Sequence, residues 1–387
     1  MTDSTQGAGA VAVQTLARAG VRRFYTVPGE SFLEILDAVE QDPDLSLVST
    51  RHESGASFMA EADAKLTGVP AVAMATRGVG ASNLAIGVHT ARQDSTPMVV
   101  LLGQVETEFL GREAFQEVDL ASFFAPITKW SATVHRADRL AEFVDKGLRI
   151  ATSGRPGPVM LAVPADLLGE EVNAPLQATA EDSPRPAPGG AETRALARRL
   201  SDARTPVALV ARAPSQGPAR DWTEPHRAYL DSSTVHASRS EGGIYPSEVI
   251  SALREVVPED SIMTNDAGNF SAFLHRYWRY NHPRTQLAPA NGALGYGMHG
   301  TIAMHQAREV GRTAGVEIGE VDLAGYARSL GAAGYSVRDP EDLEPTLTEA
   351  LASDVVALVD VVTDPYLINP SARLSELVPG KNHSTPG

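Results

Sequence analysis

The sequence predicts an α/β protein made of doubly wound parallel-sheet domains. Over the first 167 residues, short apolar runs alternate with segments of helical periodicity. Runs that are apolar throughout are typical of strands buried on both faces, as in a parallel sheet between two helix layers. The clearest of these runs are Ala71–Ala75, Met98–Leu102 and Val159–Val163, each bounded by glycine, proline or polar residues.

The elements before these strands follow the same alternation, as expected for a doubly wound domain. They are a helix at Gly9–Ala19, a strand at Phe24–Val27, a helix at Phe32–Val39, a strand-like run at Leu45–Val48 and a helical pattern from Ala56 to Ala64.

A change of composition marks the end of this first domain. Residues 168–191 are rich in Pro, Ala, Glu and Gly, which is typical of a linker. One helix at Glu192–Ala203 and one strand at Pro206–Val210 follow, and then the periodicity is lost. We therefore predict three parts: an α/β domain at 1–170, a linker with the remnant of a central domain at 171–240, and a reduced α/β domain at 241–387.

The third part again alternates helices and strands. Its predicted elements are a helix at Ser247–Val256, a strand at Ser261–Thr264, helices at Leu323–Leu330 and Leu343–Ala352, and a strand at Val356–Val361.

The composition narrows the possible partners and compartments. The net charge of the 387 residues is -15, which argues against nucleic acid or an anionic membrane as a partner. Cysteine is absent, so disulfides and thiolate chemistry are excluded. The first residues lack the features of a signal peptide, and no apolar run reaches the roughly 18 residues of a membrane helix. We therefore expect a cytoplasmic protein.

Glu53 is the strongest candidate for a catalytic group. It lies in Arg51-His52-Glu53, between a strand-like run and a helical pattern. Ligands of open α/β sheets bind at such strand ends, where a carboxyl group can exchange protons with them. The alternative is an acidic N-cap that the helix dipole favours.

Motifs in the first part occur in a recognisable order. They are Val27-Pro28-Gly29-Glu30-Ser31, Arg51-His52-Glu53, Thr76-Arg77-Gly78-Val79-Gly80-Ala81-Ser82-Asn83, Gly103-Gln104-Val105, Ala114-Phe115-Gln116-Glu117 and Thr152–Val159. Together, over residues 7–167, they resemble thiamine-diphosphate-dependent enzymes of the acetolactate synthase type. Similar matches later in the chain are Asn265–Phe270, Arg284–Pro289, Asn291–Gly297 and Met298–Gln306.

This resemblance implies a cofactor, thiamine diphosphate with Mg2+, and a role for each matching residue. Glu53 would hydrogen-bond the pyrimidine ring of the cofactor. Phe115 and Gln116 would line the substrate side of the site. The residues that would contact the cofactor are Pro28, Gly29, Glu30, Thr76, Gly78, Gly80 and Asn83 in the first part, and Gly268, Asn269, Phe270 and Leu294 in the third.

Each of these roles has a simpler alternative. Gly78 and Gly80, with Asn83, would form a glycine loop before a helix, or merely an ordinary strand-to-helix turn. Phe115 and Gln116 could be a core aromatic and a polar helix start. Gly268 and Asn269 could form an ordinary turn, and Leu294 could be a core leucine.

One part of the family pattern is missing. Relatives carry a Gly-Asp-Gly turn and a downstream Asn that hold Mg2+, in a segment that would fall between Gly297 and Met298. This chain contains no Gly-Asp-Gly, and a βαβ unit needs roughly 30 residues. The chain is a degenerate relative, an artificial deletion, or a sequence that joins separate stretches after Val210 and after Gly297. The histidines fit no zinc motif, so no residue is assigned to a metal.

The resemblance implies a decarboxylase or carboligase that acts on a small 2-oxo acid. It also implies a homodimer or homotetramer with its active site at the subunit interface. The alternative is a non-catalytic relative, a binding or interaction protein that cannot hold Mg2+ and thiamine diphosphate.

Overall fold

The computed structural model describes residues 5–173, 187–202, 223–235, 243–266, 268–282, 285–292, 321–370 and 372–373. Contacts divide the chain into two compact units, residues 1–215 and 216–387. The boundaries expected at residues 170 and 240 stay predictions. The strand predicted at Pro206–Val210, Leu294, and the junctions after Val210 and after Gly297 lie outside the described residues.

The first unit is built on a parallel sheet. Its strands are β1 Gln6–Gly7, β2 Arg23–Thr26, β3 Ser46–Ser49, β4 Ala71–Thr76, β5 Met98–Gln104, β6 Trp130–Thr133, β7 Pro158–Pro164 and β8 Glu171–Val172. Strands β2 to β7 form one six-stranded sheet in the order β3-β2-β4-β5-β7-β6, and every neighbouring pair in it is parallel. The predicted doubly wound fold is therefore confirmed.

Helices cover both faces of this sheet. The helices of the first unit are α1 Ala8–Arg18, α2 Leu33–Glu40, α3 Glu53–Thr67, α4 Arg77–Asp94, α5 Leu120–Phe124, α6 Leu140–Thr152, α7 Ala165–Leu168 and α8 Gly190–Asp202. One apolar core packs α1, α2 and α6 against one face, and a second core packs α3, α4 and α5 against the other. All residues of β5 and β7 are buried, which explains their uninterrupted apolar sequences.

The second unit contains shorter elements. Its strands are β9 Met263–Thr264, β10 Gln286–Leu287, β11 Ala333–Val337, β12 Ala357–Val361, β13 Leu367–Asn369 and β14 Ala372–Arg373. Its helices are α9 Thr223–Ser232, α10 Pro246–Val256, α11 Ser271–Tyr277, α12 Leu323–Ser329 and α13 Leu343–Leu351. The pairs β9–β10 and β11–β12 are parallel. A small core around Ile244, Val337 and Leu343 supports the second pair.

Two strands of four or more residues were not predicted from the sequence. β6 (Trp130–Thr133) is only half-buried along its length and lies at an edge of the sheet, so its sequence has no apolar run. β11 (Ala333–Val337) contains a glycine and a serine, and only its last residue is buried. Within the described residues, no helix is long and apolar enough to cross a membrane.

Candidate active site

The order of the strands locates a crevice in the first unit. From β2 the chain passes to β3 on one side, whereas from β4 it passes to β5 on the other side. In open α/β sheets, ligands bind outside the carboxyl ends of the strands where the winding reverses in this way. The segments that follow β2 and β4 are Val27 to Glu30 and Thr76 to Gly80, and both contain predicted site residues.

These two segments approach each other very closely at Gly29. A Cβ atom on Gly29 would lie 2.6 Å from the Cβ atom of Thr76, so a larger residue would push the two segments apart. Beside this contact, the hydroxyl groups of Ser31 and Thr76 are 2.7 Å apart and share a hydrogen bond. Pro28 and Glu30 are exposed at the same edge. Pro28, Gly29, Glu30 and Thr76 therefore lie together, as the motifs predict.

Glu53 is the first residue of α3, and its side chain is half-buried. The N-cap of this helix is His52, whose Nδ1 accepts a hydrogen bond from the backbone N–H of Ser54 at 3.2 Å. The alternative in which Glu53 itself is the N-cap is therefore wrong. Because His52 satisfies the end of the helix, the Glu53 carboxylate is available for other partners.

The start of α4 holds the Glu53 carboxylate. Asn83 Nδ2 donates a hydrogen bond to Glu53 Oε2 at 2.9 Å. A Cβ atom on Gly80 would lie 3.2 Å from Glu53 Oε1, so the carboxylate rests against a position without a side chain. The structure therefore brings Glu53, Gly80 and Asn83 together, although 27 to 30 residues of sequence separate the first from the other two.

The predicted glycine loop before α4 is wrong, because Gly78, Gly80 and Asn83 lie within the first two turns of this helix. A close approach explains Gly78 better than a turn does. Its missing Cβ would lie 2.5 Å from Val118 Cγ2, and its N–H donates to Gln116 O at 2.9 Å. The glycines thus let neighbouring segments pack directly on the helix.

Arg77 is a member of this site that sequence reasoning did not single out. It is buried, with only 8% of its surface exposed, and its φ of 40° lies in the left-handed region, which a non-glycine residue adopts at a cost of about 1–3 kcal/mol. Its Nη1 donates to Glu30 Oε1 at 2.9 Å. An arginine directly after a buried strand, in the run Ala71 to Arg77, was the available signal.

Phe115 and Gln116 lie in a loop before α5. Phe115 is 73% exposed and Gln116 has a φ of 63°, so the alternative of a core aromatic and a helix start is wrong. Glu117 holds this loop by accepting hydrogen bonds from the N–H groups of Gly111 at 2.6 Å and Ala114 at 2.9 Å. These bonds hold the pKa of the Glu117 carboxyl below its usual range.

Helices α3 and α4 are tied together away from the crevice by buried charges. Lys65 Nζ contacts Glu61 Oε1 at 2.9 Å and also Asp94 Oδ2, and Thr96 Oγ1 donates to Glu61 Oε1 at 2.8 Å. Burial raises the pKa of Glu61, and Lys65 opposes this rise. Burial alone would lower the pKa of Lys65, but its hydrogen bonds to Asp94 and Glu61 raise it.

In the second unit, Gly268, Asn269 and Phe270 form a turn that leads into α11. Asn269 Nδ2 donates to Ile368 O at 2.9 Å, so this amide fixes the turn onto the strand β13. Phe270 is 37% exposed. The contact of these three residues with a diphosphate stays a prediction. Among the described residues, no group of three or more His, Asp or Glu side chains is placed to hold a metal ion.

Comparisons with known proteins agree with this site. Residues 7–123 match the family model "Thiamine pyrophosphate enzyme, N-terminal TPP binding domain", and residues 299–361 match "Thiamine pyrophosphate enzyme, C-terminal TPP binding domain". The first unit thus carries a cofactor-binding domain of the thiamine pyrophosphate enzymes. Residues 7–123 and 299–361 are thus similar to the two cofactor-binding domains of the thiamine pyrophosphate enzymes, as the motifs of the chain predicted.

Individual relatives support this assignment. The acetolactate synthase isozyme 1 large subunit of Escherichia coli is 36% identical over 209 residues, which are 54% of this chain and 37% of that protein. The probable acetolactate synthase large subunit of Methanocaldococcus jannaschii is 38% identical over 168 residues, which are 43% of this chain and 28% of that protein. The chain thus spans well under half the length of these relatives.

A solved structure has the same fold. The Rhodococcus jostii RHA1 thiamine diphosphate-dependent 4-hydroxybenzoylformate decarboxylase superposes with a TM-score of 0.78 at 17% identity, covering 93% of this chain and 99% of that chain.

The cofactor of the family is thiamine diphosphate with Mg2+, and the crevice fits its aminopyrimidine. The half-buried Glu53 carboxylate offers an acceptor to a ring N–H, and Gly29 and Gly80 let the backbone pack closely against Thr76 and Glu53 at the edge of the crevice. Asn83 and Thr76 complete the polar lining on the α4 side. For Mg2+, by contrast, neither the Gly-Asp-Gly motif in the sequence nor a ligand cluster in the described residues is present.

Proposed function

We propose that this chain forms the pyrimidine-binding part of an enzyme that decarboxylates a small 2-oxo acid, such as pyruvate, or ligates it to an acceptor. The observation that carries the proposal is the Glu53 carboxylate, which Asn83 holds at the switch-point crevice at 2.9 Å. When bound, thiamine diphosphate supplies the nucleophilic carbon and the electron sink of such reactions. Glu53 Oε1 would hold or release the proton of the ring nitrogen.

The other residues of the crevice would orient the cofactor and substrate. Gly29 and Gly80 would keep the two sides of the crevice in place, because a Cβ atom at either position would push against Thr76 or Glu53. Phe115 and Gln116 would form the substrate side. The exposure of Phe115 supports this role, since an aromatic side chain that is 73% exposed is available to a ligand or to a partner subunit.

Calorimetric titration of the full chain with thiamine diphosphate and Mg2+ tests the proposal. We expect binding that requires Mg2+. The Glu53→Gln variant should bind nearly as well as the unaltered protein but should suppress exchange of the cofactor C2 proton, because it keeps the shape and removes the ionisable group. Glu40→Gln, an exposed change at the end of α2, is the matched control.

Two results would refute this proposal. If the Glu53→Gln variant exchanged the cofactor C2 proton at an unchanged rate, Glu53 would not have the role that we propose. No detectable binding at millimolar cofactor, with or without Mg2+, would instead favour the non-catalytic alternative, which rests on the missing Gly-Asp-Gly segment.

We also propose that the chain assembles as a homodimer or homotetramer. Large apolar side chains are exposed on α3, on α4, on α5 and in the loop before α5: Met59, Val79, Ile86, Phe115 and Phe123 are 40% to 73% exposed. Exposed apolar groups of this number favour association. Light scattering should show a dimer or larger species at micromolar concentration, and Ile86→Lys should weaken it. A stable monomer would contradict this assembly.

A further inference from the structure

Asn83 contacts Glu53 directly, and this contact suggests a role for Asn83 other than touching the cofactor. Its Nδ2 donates to Glu53 Oε2 at 2.9 Å, while Glu53 Oε1 lies over Gly80. We propose that Asn83 is a positioning residue, which fixes one oxygen of the Glu53 carboxylate and leaves Oε1 for the ligand. The inference rests on the proposed function of Glu53 and assigns to Asn83 an action through that carboxylate.

The packing of α3 against α4 makes this contact a fixed one. A Cβ atom on Gly87 would lie 2.2 Å from Ser57 Oγ and 2.5 Å from Ser57 Cβ, so only the small side chain of Ser57 lies between the two helices at this point. Lys65 joins the far ends of the same helices by contacting Glu61 and Asp94. Because the backbones are held at both places, the separation of Glu53 and Asn83 is set by the fold.

The chemistry of an amide suits this task. An Asn side chain donates through Nδ2 and stabilises an ionised carboxylate without competing for its proton. An aspartate at position 83 would place a second carboxylate about 3 Å from the first, where like charges repel. An alanine would leave Oε2 without its donor. The amide therefore holds the orientation of the carboxylate and keeps it an acceptor.

A first experiment tests the contact without cofactor. At pH 7, the unfolding equilibrium constant of Asn83→Asp should be about tenfold larger than that of Asn83→Ala. The reason is that the introduced carboxylate repels the Glu53 carboxylate, and water screens this repulsion only in part. Adding Glu53→Gln to Asn83→Asp should restore stability to within about threefold of Asn83→Ala, since the glutamine amide can donate to the introduced carboxylate.

The rescue distinguishes positioning of Glu53 from a general structural role of position 83. If Glu53→Gln does not rescue Asn83→Asp, the two side chains do not interact and the inference is overturned. Ser82→Ala is the matched control, because the Ser82 hydroxyl donates within α4 to Gly78 O at 2.6 Å. The effect of Ser82→Ala on the unfolding free energy should be the same with and without Glu53→Gln.

A second experiment uses thiamine diphosphate with Mg2+ as the probe. Asn83→Ala should weaken binding about tenfold, and Glu53→Ala, which removes the carboxylate altogether, should weaken it as well; the double variant Asn83→Ala with Glu53→Ala should bind no more weakly than the weaker single variant, because both changes affect one contact. Strictly additive losses would overturn the inference. Absence of binding by the unaltered protein would refute the proposed function instead, and the rescue measured without cofactor would still decide the role of Asn83.

Discussion

Replacing Lys65 with methionine tests the buried charges that join α3 to α4. The Lys65 ammonium contacts Glu61 Oε1 at 2.9 Å and also Asp94. The side chains of Glu61 and Asp94 are only 7% and 3% exposed. The Lys65→Met variant would therefore keep the apolar stem of the side chain and leave two buried carboxylates without this cation.

The size of the loss follows from the geometry. Two unit charges about 4 Å apart attract by about 4 kcal/mol at an effective dielectric constant of about 20, and Lys65 makes two such contacts. The desolvation cost of the ammonium disappears in the variant and offsets part of this. Removing one partner of a buried ion pair costs about 3–5 kcal/mol, which is the loss of unfolding free energy that we expect at pH 7.

The loss should depend on pH in a defined direction. Burial raises the pKa of Glu61, and Lys65 opposes that rise. A carboxyl whose folded-state pKa is raised binds its proton better in the folded state, so lowering the pH favours folding. Without Lys65 the opposing charge is gone, and the deficit of the variant should therefore shrink as the pH falls from about 7 to about 5.

Urea unfolding followed by circular dichroism at both pH values measures this deficit. Lys65→Arg keeps the charge and should lose less than Lys65→Met. Adding Glu61→Gln to Lys65→Met should recover part of the stability, because one buried charge is removed. A loss below about 1 kcal/mol at pH 7, the value typical of an exposed pair, or a deficit that grows on acidification would refute this reasoning.

Three further changes test local contacts. Gly103→Ala would place a Cβ atom 2.0 Å from Ser31 Oγ, so we expect a loss of about 1–3 kcal/mol in thermal unfolding; an unchanged melting temperature would contradict this. Arg155→Ala removes donors to the last carbonyl groups of α4, and hydrogen exchange should accelerate in that turn alone. Asp119→Ala removes the N-cap of α5 and should cost about 1 kcal/mol at neutral pH. Hydrogen bonds from Ser122 lower the pKa of Asp119 from its ordinary value of 3.8. The stabilisation by this cap should therefore be fully present when the pH is above 3.8, and it should be lost as the pH falls through the lowered pKa.

The buried strands of the first unit were predictable because their burial is complete. β4, β5 and β7 are apolar along most of their length since helices cover both faces, and the polar residues Thr76 and Gln104 stand only at the carboxyl ends of β4 and β5. The edge strand β6 is half-buried and carries Ser131 and Thr133 among its four residues, so its sequence resembles that of a loop. A strand of this sheet can thus be predicted from its sequence when both of its faces are buried.

The structure brings Gly29, Thr76, Gly80 and Glu53 close together. The sequence predicted Gly78 and Gly80 in a loop before the helix, whereas both lie in α4. Glycine usually indicates a turn, whereas Gly80 lies in a helix because Glu53 needs the space that a Cβ atom would occupy. Such a requirement depends on a residue distant in sequence, and no local pattern contains it.

The side chains that contact Glu53 could likewise not be predicted from the sequence. Asn83 was identified as a cofactor contact, whereas in the structure its amide donates to the Glu53 carboxylate. The pairing depends on how α3 packs against α4, which a tight contact at Gly87 and Ser57 decides. Arg77 stands in one of the motifs but was given no role, because its burial and its left-handed φ become visible only in the structure.

The reversal of strand order at β2 and β4 also determines when the crevice forms during folding. The two strands are neighbours, and Thr26 Oγ1 donates to Met74 O across a separation of 48 residues. Contacts between such distant residues form late, because a long loop must close before they are made. During synthesis, the chain must therefore grow past β4 and much of α4 before Gly29, Glu53 and Asn83 can meet. Until then, the residues that line the crevice cannot all be in place.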